Sequence, residues 1–227
     1  DFFSGHSILH TREGEKITDL ESAEISFPSD LDNYPIRIPV QVIVETRAGL
    51  LCKTYNVYRD QARVDLCYNW YLKKISIFSF RLGFVNVLPN VLDPTRIRYV
   101  TVNGGENVEE FSVVNCTVDH GAPVGMQVSA TQCLGATEGW VSMDDGRLGL
   151  AVLSDRKQLC TVPMIEHRPL EEGNFFRIAH SAVERDATSM NQWRGHYSAS
   201  FSIIGHLGDL SGVRSAAKCM SIPLITE

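Results

Sequence analysis

The stretch RVDLCYNWYL, residues 63–72, alternates without interruption. Val64, Leu66, Tyr68, Trp70 and Leu72 fall on one face of an extended chain, and Arg63, Asp65, Cys67 and Asn69 on the other. Successive side chains of a β-strand point to opposite faces, so this pattern reads as a half-buried strand. The same period recurs in HYSASFSII (196–204), where Tyr197, Ala199, Phe201 and Ile203 share a face and serines take the other. VQVIVET (40–46), SIFSFRLGFVNV (76–87), IRYVTVN (97–103), FSVVNCTVD (111–119) and FFRIAHSAVE (175–184) read as strands for the same reason.

VSMDDGRLGLAVLSD (141–155) reads as a hairpin, with Asp145-Gly146 as a type I′ turn pair between alternating runs. Helical signals are few: GVRSAAKCM (212–220) makes two turns, and LDPTRI (92–97) at most one. About a dozen strands with almost no helix predict an all-β fold, a large antiparallel β-sandwich filling residues 1–227 as one domain. Ser198, Ser200 and Ser202 predict that one sheet presents an open polar face.

Composition narrows the function classes. Of 227 residues, 44% are hydrophobic and 21% charged, as in a globular protein. The net charge is −6 with no basic cluster, which argues against nucleic acid and anionic membrane as partners. No apolar run approaches the ~20 residues of a membrane span. The first residues show no basic stretch leading into an apolar one, and the expected location is cytoplasmic. The chain starts at Asp1 rather than Met, so it is expected to be a fragment of a longer polypeptide. None of the six cysteines (52, 67, 116, 133, 160 and 219) has C-x-x-C spacing, so no zinc site is expected. Reduced thiols are the expectation, with a disulfide framework as the alternative; Cys52, Cys67 and Cys160 sit in strand-like runs. No cofactor motif is present: G-x-S-x-G, the P-loop, the dinucleotide fingerprint and H-E-x-x-H are all missing from the sequence. His6 and His10 give no metal signature.

Candidate ligand-binding residues lie in four places. VNGGENVEEF (102–111) sets the turn residues Asn103-Gly104-Gly105 before Glu106, Glu109 and Glu110. The plain reading is a solvated hairpin edge; the functional one brings Asn103 and Glu106 to a ligand. Three carboxylates on one segment do not by themselves make the opposed pair that glycoside hydrolysis needs. IEHRP (165–169) groups His167 and Arg168 with Glu166, as a sugar-gripping set or an exposed strand end. AHSAVERD (179–186) puts His180, Ala182 and Glu184 on one face of a strand, with Asp186 beyond. NQWRGHYS (191–198) offers Trp193 as a platform for sugar C–H groups, with Arg194 and His196 beside it, whereas Trp140 reads as core.

Several segments together resemble the C-terminal β-sandwich region of family 38 α-mannosidase-like glycoside hydrolases. They are ETRAGLLCKTYNVYRDQARVDLCYNWYL (45–72), YVTVNGGENVEEFSV (99–113), LGATEGWVSMDDGRLGLAVLSDRK (134–157), NFFRIAHSAVERDATS (174–189) and GHYSASFSIIGH (195–206). The likeness covers most of residues 45–206 and contains no catalytic signature. It implies a galactose-mutarotase-like supersandwich. In that family the nucleophile and metal ligands lie in a separate preceding domain, to which nothing here corresponds. The resemblance therefore implies a non-catalytic, carbohydrate-associated domain whose partner is an upstream catalytic domain of the same polypeptide.

Two other functions stay open. One is a stand-alone aldose epimerase pairing a His acid with a Glu base, for which His180 or His167 with Glu184 or Glu106 are the candidates. The other is a carbohydrate-binding module with aromatic platforms. No catalytic residue follows from the sequence.

Overall fold

Alternation of apolar and polar residues does become strand along the chain. The computed structural model describes residues 3–88, 90–118, 136–171, 173–184 and 192–221. Its strands are β1 (Ile8–Thr11), β2 (Lys16–Thr18), β3 (Ala23–Ser26), β4 (Arg37–Thr46), β5 (Gly49–Tyr58), β6 (Arg63–Val87) and β7 (Arg98–Thr101). They continue with β8 (Glu109–Ser112), β9 (Trp140–Asp144), β10 (Gly149–Ser154), β11 (Val162–Leu170), β12 (Gly173–Glu184) and β13 (Gln192–His206), before helix α1 (Ser211–Ser221). Every pairing among these strands is antiparallel.

β6 organises the molecule. The sequence reads as two strands here, 63–72 and 76–87, and the structure joins them into one of 25 residues. Its first part pairs with β5 and β13 inside the order β3-β4-β5-β6-β13-β10-β9-β7-β8. Its second part pairs with β1 and β12 inside the order β2-β1-β6-β12-β11. The change of sheet falls at Lys73-Lys74. Leu72 faces Gly195 but Ile75 faces Trp193, so β6 carries one extra residue there. Such a bulge bends a strand and lets it turn a corner between sheets.

The bend closes the core. Trp70 from the first part of β6 meets Phe80 from the second edge-on, with ring centroids 6.1 Å apart. Tyr68 meets Phe201 of β13 edge-on at 5.9 Å. The Tyr68 hydroxyl accepts the Gly83 N–H at 3.1 Å and donates to the His6 carbonyl at 3.4 Å. Burial raises this phenol well above its ordinary pKa, so it stays a neutral donor. The two sheets thus enclose one apolar layer running from Leu9 and Leu51 to Ile178 and Phe201. At the open side of that layer Lys53 and Asp19 form a buried ion pair of 2.9 Å. Lys53 also donates to the Gly5 carbonyl, and Asp19 accepts the Ser7 N–H. Together they fasten the N-terminal segment across the sandwich.

A second, smaller apolar layer lies on the other face of the nine-stranded sheet. Val213 and Ala217 of α1 cover Val100, Trp140, Ala151 and Leu153 there. The helix is the one expected at 212–220, whereas residues 92–97 form a turn closed by Arg96 N–H to Asp93 carbonyl. The 141–155 hairpin is present, but its loop is four residues long. Asp144 pairs with Gly149, and the Asp145 carboxylate accepts the N–H groups of Arg147 and Leu148. The side chain of Asp145, rather than a two-residue turn, therefore sets the register. The strand read at 111–119 is the short edge strand β8, and Asp119 lies outside the described residues. Cys52, Cys67, Cys116, Cys160 and Cys219 are free thiols. Cys160 is exposed, contrary to its strand-like setting, because β11 begins two residues later; Cys133 lies outside the described residues.

Candidate functional site

Directly opposed residues of antiparallel strands share a face. In the five-stranded sheet the inner face is therefore made of rows such as Ile165–Ile178–Val85 and Val183–Phe80–Leu9–Ile17. All of these residues belong to the inter-sheet core. The outer face is made of the rows between, and these are polar: Glu166–Arg177–Asn86, Ser181–Arg81–Ile8–Thr18, and Glu184–Ser79–His10–Lys16. A small apolar island of Ile8, Phe84 and Ala179 sits among them.

The side chains on this face are tied to one another. Arg81 grips Glu184 through two N–H groups, at 2.6 and 3.1 Å, and Ser181 donates to the same carboxylate at 2.9 Å. Arg177 donates to Asn86 at 2.8 Å and to Glu166 at 3.4 Å, with its guanidinium over the rings of Phe84 and Phe175. His10 Nδ1 lies 2.9 Å from the Ser79 hydroxyl. Burial lowers the His10 pKa, and Arg81 and Lys16 lower it further, against the pull of Glu184. The imidazole is consequently neutral at pH 7 and can exchange a proton or accept a hydrogen bond. A cleft of about 390 Å³ opens beside it, lined by His10, Thr11, Arg12, Phe78, Ser79 and Arg81. His10 and Glu184 stand two strand spacings apart, about 10 Å between backbones, with Ser79 between them. Arginine forks, a hydroxyl, a neutral imidazole and a carboxylate on one rigid face are chemically suited to hold a polyol or an anionic group.

The residues singled out from the sequence do not assemble into one site. Asn103 and Glu106 are exposed in the β7–β8 connection at the edge of the nine-stranded sheet. Their neighbour Glu110 is paired with Arg98, which also holds Asp144. Alternation separates His167 from its sequence neighbours. It points inward, fully buried and stacked on Phe176 at 4.6 Å, with Nε2 3.1 Å from the Asn174 amide oxygen. Arg168 is exposed and pairs with Glu166 on the outer face.

The common face expected for His180, Ala182 and Glu184 is not found. β12 carries one extra residue between Ser181 and Val183, and this breaks the alternation. His180 lies in the interior opposite Leu82 and Pro163, with its ring 4.6 Å from Phe201, while Glu184 is on the outer face. Burial lowers the His180 pKa to about 4. Asp186 lies outside the described residues. Trp193 is half-buried rather than an open platform, packed against Phe80 and Tyr197; Arg194 beside it is exposed. Sequence reasoning weighed His10 only as a metal ligand and passed over Ser79, Arg81 and Arg177. The alternation Ile8/His10 against Leu9/Thr11 was the available signal, in a strand too short to stand out.

No protein-family model matches the chain, and no curated protein does. Solved structures do. α-N-acetylgalactosaminidase NagBb from Bifidobacterium bifidum, in its GalNAc complex, matches with a TM-score of 0.57 and 10% identity over 94% of this chain and 32% of that one. A GH36 α-galactosidase from Geobacillus stearothermophilus, AgaA with raffinose, matches with a TM-score of 0.47 and 10% identity over 93% and 31%. A putative aldose 1-epimerase from Escherichia coli K12 matches with a TM-score of 0.47 and 9% identity over 88% and 79%. Of these three, only the first exceeds a TM-score of 0.5, and at its identity it shows the fold alone. That fold is an all-β antiparallel supersandwich of the galactose-mutarotase-like class. The chain spans about a third of the length of the first solved structures it matches.

Proposed function

We propose that this chain is an accessory β-sandwich region of a glycoside hydrolase, of the family 38 α-mannosidase type, with hydrolysis performed by an upstream domain of the same polypeptide. The observation that carries this reading is the match to NagBb, which takes in nearly all of this chain and only a third of an α-N-acetylgalactosaminidase. Two features of the site support it. His167 and His180 are interior side chains, and Glu184 already serves as acceptor to Arg81 and Ser181. The domain would buttress the catalytic one, associate with carbohydrate through it, need no cofactor of its own, and work in the cytoplasm with reduced thiols. Fold alone does not carry activity, so the reading stands on its test.

One observation favours a second reading. His10 and Glu184 share a row of the outer face beside a cleft, which is an arrangement an aldose epimerase would use as acid and base. Anomer exchange of galactose, glucose and mannose, followed by NMR alongside α-linked mannobiose, separates the two. The accessory reading expects exchange at the buffer rate and intact mannobiose. Acceleration that disappears in both His10→Ala and Glu184→Gln would replace it with the epimerase reading.

A further inference from the structure

β3 forms one edge of the nine-stranded sheet, opposite the β8 edge. It pairs with β4 on one side, and among the described residues no strand pairs with its other side. The row Ile25–Val42–Lys53–Tyr68–Ala199 runs from this edge into the core, where Lys53, Tyr68 and Ala199 are buried. Ile25 has the same inward orientation, yet it is 62% exposed. The nine-stranded sheet therefore overhangs the five-stranded one at this edge, and its core-facing side is open there. Phe27 and Ile36, at 69% and 65% exposed, extend the apolar surface along the segment that follows β3.

That segment is held in place. Arg59 donates through its side chain to the carbonyls of Leu31 and Tyr34, at 2.7 and 3.0 Å, and through its backbone to that of Ile36. Unprotected edges invite pairing, and shortness, an inward-pointing charge or a proline within the strand are among the deterrents. β3, Ala-Glu-Ile-Ser, is short, at four residues, but the other two are absent from its inward position.

Charge selects the occupant. Residues 20–36 contain Glu21, Glu24, Asp30 and Asp32, all exposed, and no Lys or Arg; the Arg59 side chain is committed to carbonyls. Pairing β3 with its own copy in the register that opposes Glu24 to Glu24 would set like charges directly against each other, with Glu21 close by, which disfavours a second copy of this chain. We propose that the β3 edge is a strand-addition site for an extended polypeptide segment that alternates apolar residues with Lys or Arg. Backbone hydrogen bonds to β3 would supply the pairing, and apolar side chains of the added strand would continue the row of Ile25 over the open overhang. The inference rests on the accessory reading only for the source of that strand, a partner domain of the same enzyme.

The test uses the whole chain with two synthetic nonapeptides, Lys-Val-Thr-Val-Lys-Val-Thr-Val-Lys and its counterpart with Glu for Lys. The readout is amide hydrogen exchange in Ala23–Ser26. The basic peptide is expected to slow exchange there roughly tenfold at saturation, with the effect weakened by salt. The acidic peptide should leave it unchanged. Ile25→Lys and Phe27→Ser, both at exposed positions, should each abolish the protection by the basic peptide without loss of folding. No protection by the basic peptide, equal protection by both, or a dimer in sedimentation that Ile25→Lys dissolves would each overturn the proposal. None of these results alters anomer exchange, so failure here is distinct from failure of the accessory reading.

Discussion

His180 provides a quantitative test of its position in the core. The imidazole lies between the sheets, 1% exposed, with Phe201 at 4.6 Å. Its pKa falls from 6.5 to about 4 because the charged form loses its water, a cost that contact with the Gly83 backbone offsets only in part. Between those two pH values the unfolded chain binds a proton that the folded chain refuses. Stability contributed by the neutral ring is therefore complete above pH 6.5 and is lost as pH falls through the window to about 4. Each pH unit across it is worth about 1.4 kcal/mol, so the whole loss is about 3 kcal/mol. Against a typical domain stability of about 5–15 kcal/mol that is readily measured. The assay is urea unfolding by tryptophan fluorescence at intervals from pH 7.5 to 4, on the wild type and His180→Leu. Burial also lowers the pKa values of His6, His10 and His206, but these bend both profiles alike and cancel in the difference. The difference should shift by about 3 kcal/mol in favour of the leucine variant as pH falls. Parallel profiles would refute the placement of a neutral, desolvated His180 in the core, and would return it to the list of groups able to exchange protons near pH 7.

Lys53→Met should destabilise the protein by about 3–5 kcal/mol, because it leaves the buried Asp19 carboxylate without its cation. Adding Asp19→Leu should recover part of that, down to the roughly 1–3 kcal/mol expected for the orphaned Ser7 N–H; denaturant midpoints of the three variants check both statements. Gly149→Ala should cost about 1–3 kcal/mol in the same measurement. Its new methyl would stand 2.4 Å from the His206 ring and 2.5 Å from Asp144 Cβ, forcing His206 off the Ser142 hydroxyl it now meets at 2.7 Å.

The long strands were legible because their period is regular over many residues. Leu66, Tyr68, Trp70 and Leu72 are all buried on one side of β6, and Ala199 and Phe201 lie opposite on β13. The bulge at Lys73-Lys74 was not legible as a corner. Two lysines between alternating runs look the same whether the chain turns back or bends and continues. The site was less legible than the fold for a related reason. A one-residue irregularity reverses which face a side chain takes, and β12 carries one extra residue between Ser181 and Val183, so His180 and Glu184 part company although their spacing is even. His167 and Arg168, adjacent in sequence, point to opposite faces as any strand requires. The polar outer face draws on β1, β6, β11 and β12, which are brought together only by pairings across much of the chain. Nothing local announces Ser79 as the residue between His10 and Glu184.

The sharing of β6 between two sheets has a consequence for synthesis. Its first part waits for β13, whose pairing residues extend to Ile204, and its second waits for β12. A nascent chain that has released β6 can pair it with β1 and β5, but its opposite edge stays bare until roughly 90–120 further residues have emerged. At about 5–20 residues per second that interval lasts roughly 5–25 s, with Trp70, Phe80 and Leu82 still lacking the strands that will flank them. The completed sandwich conceals a strand that must be sheltered from aggregation while it is being made, and the demand for chaperoning falls on the same 25 residues that hold the finished sheets together.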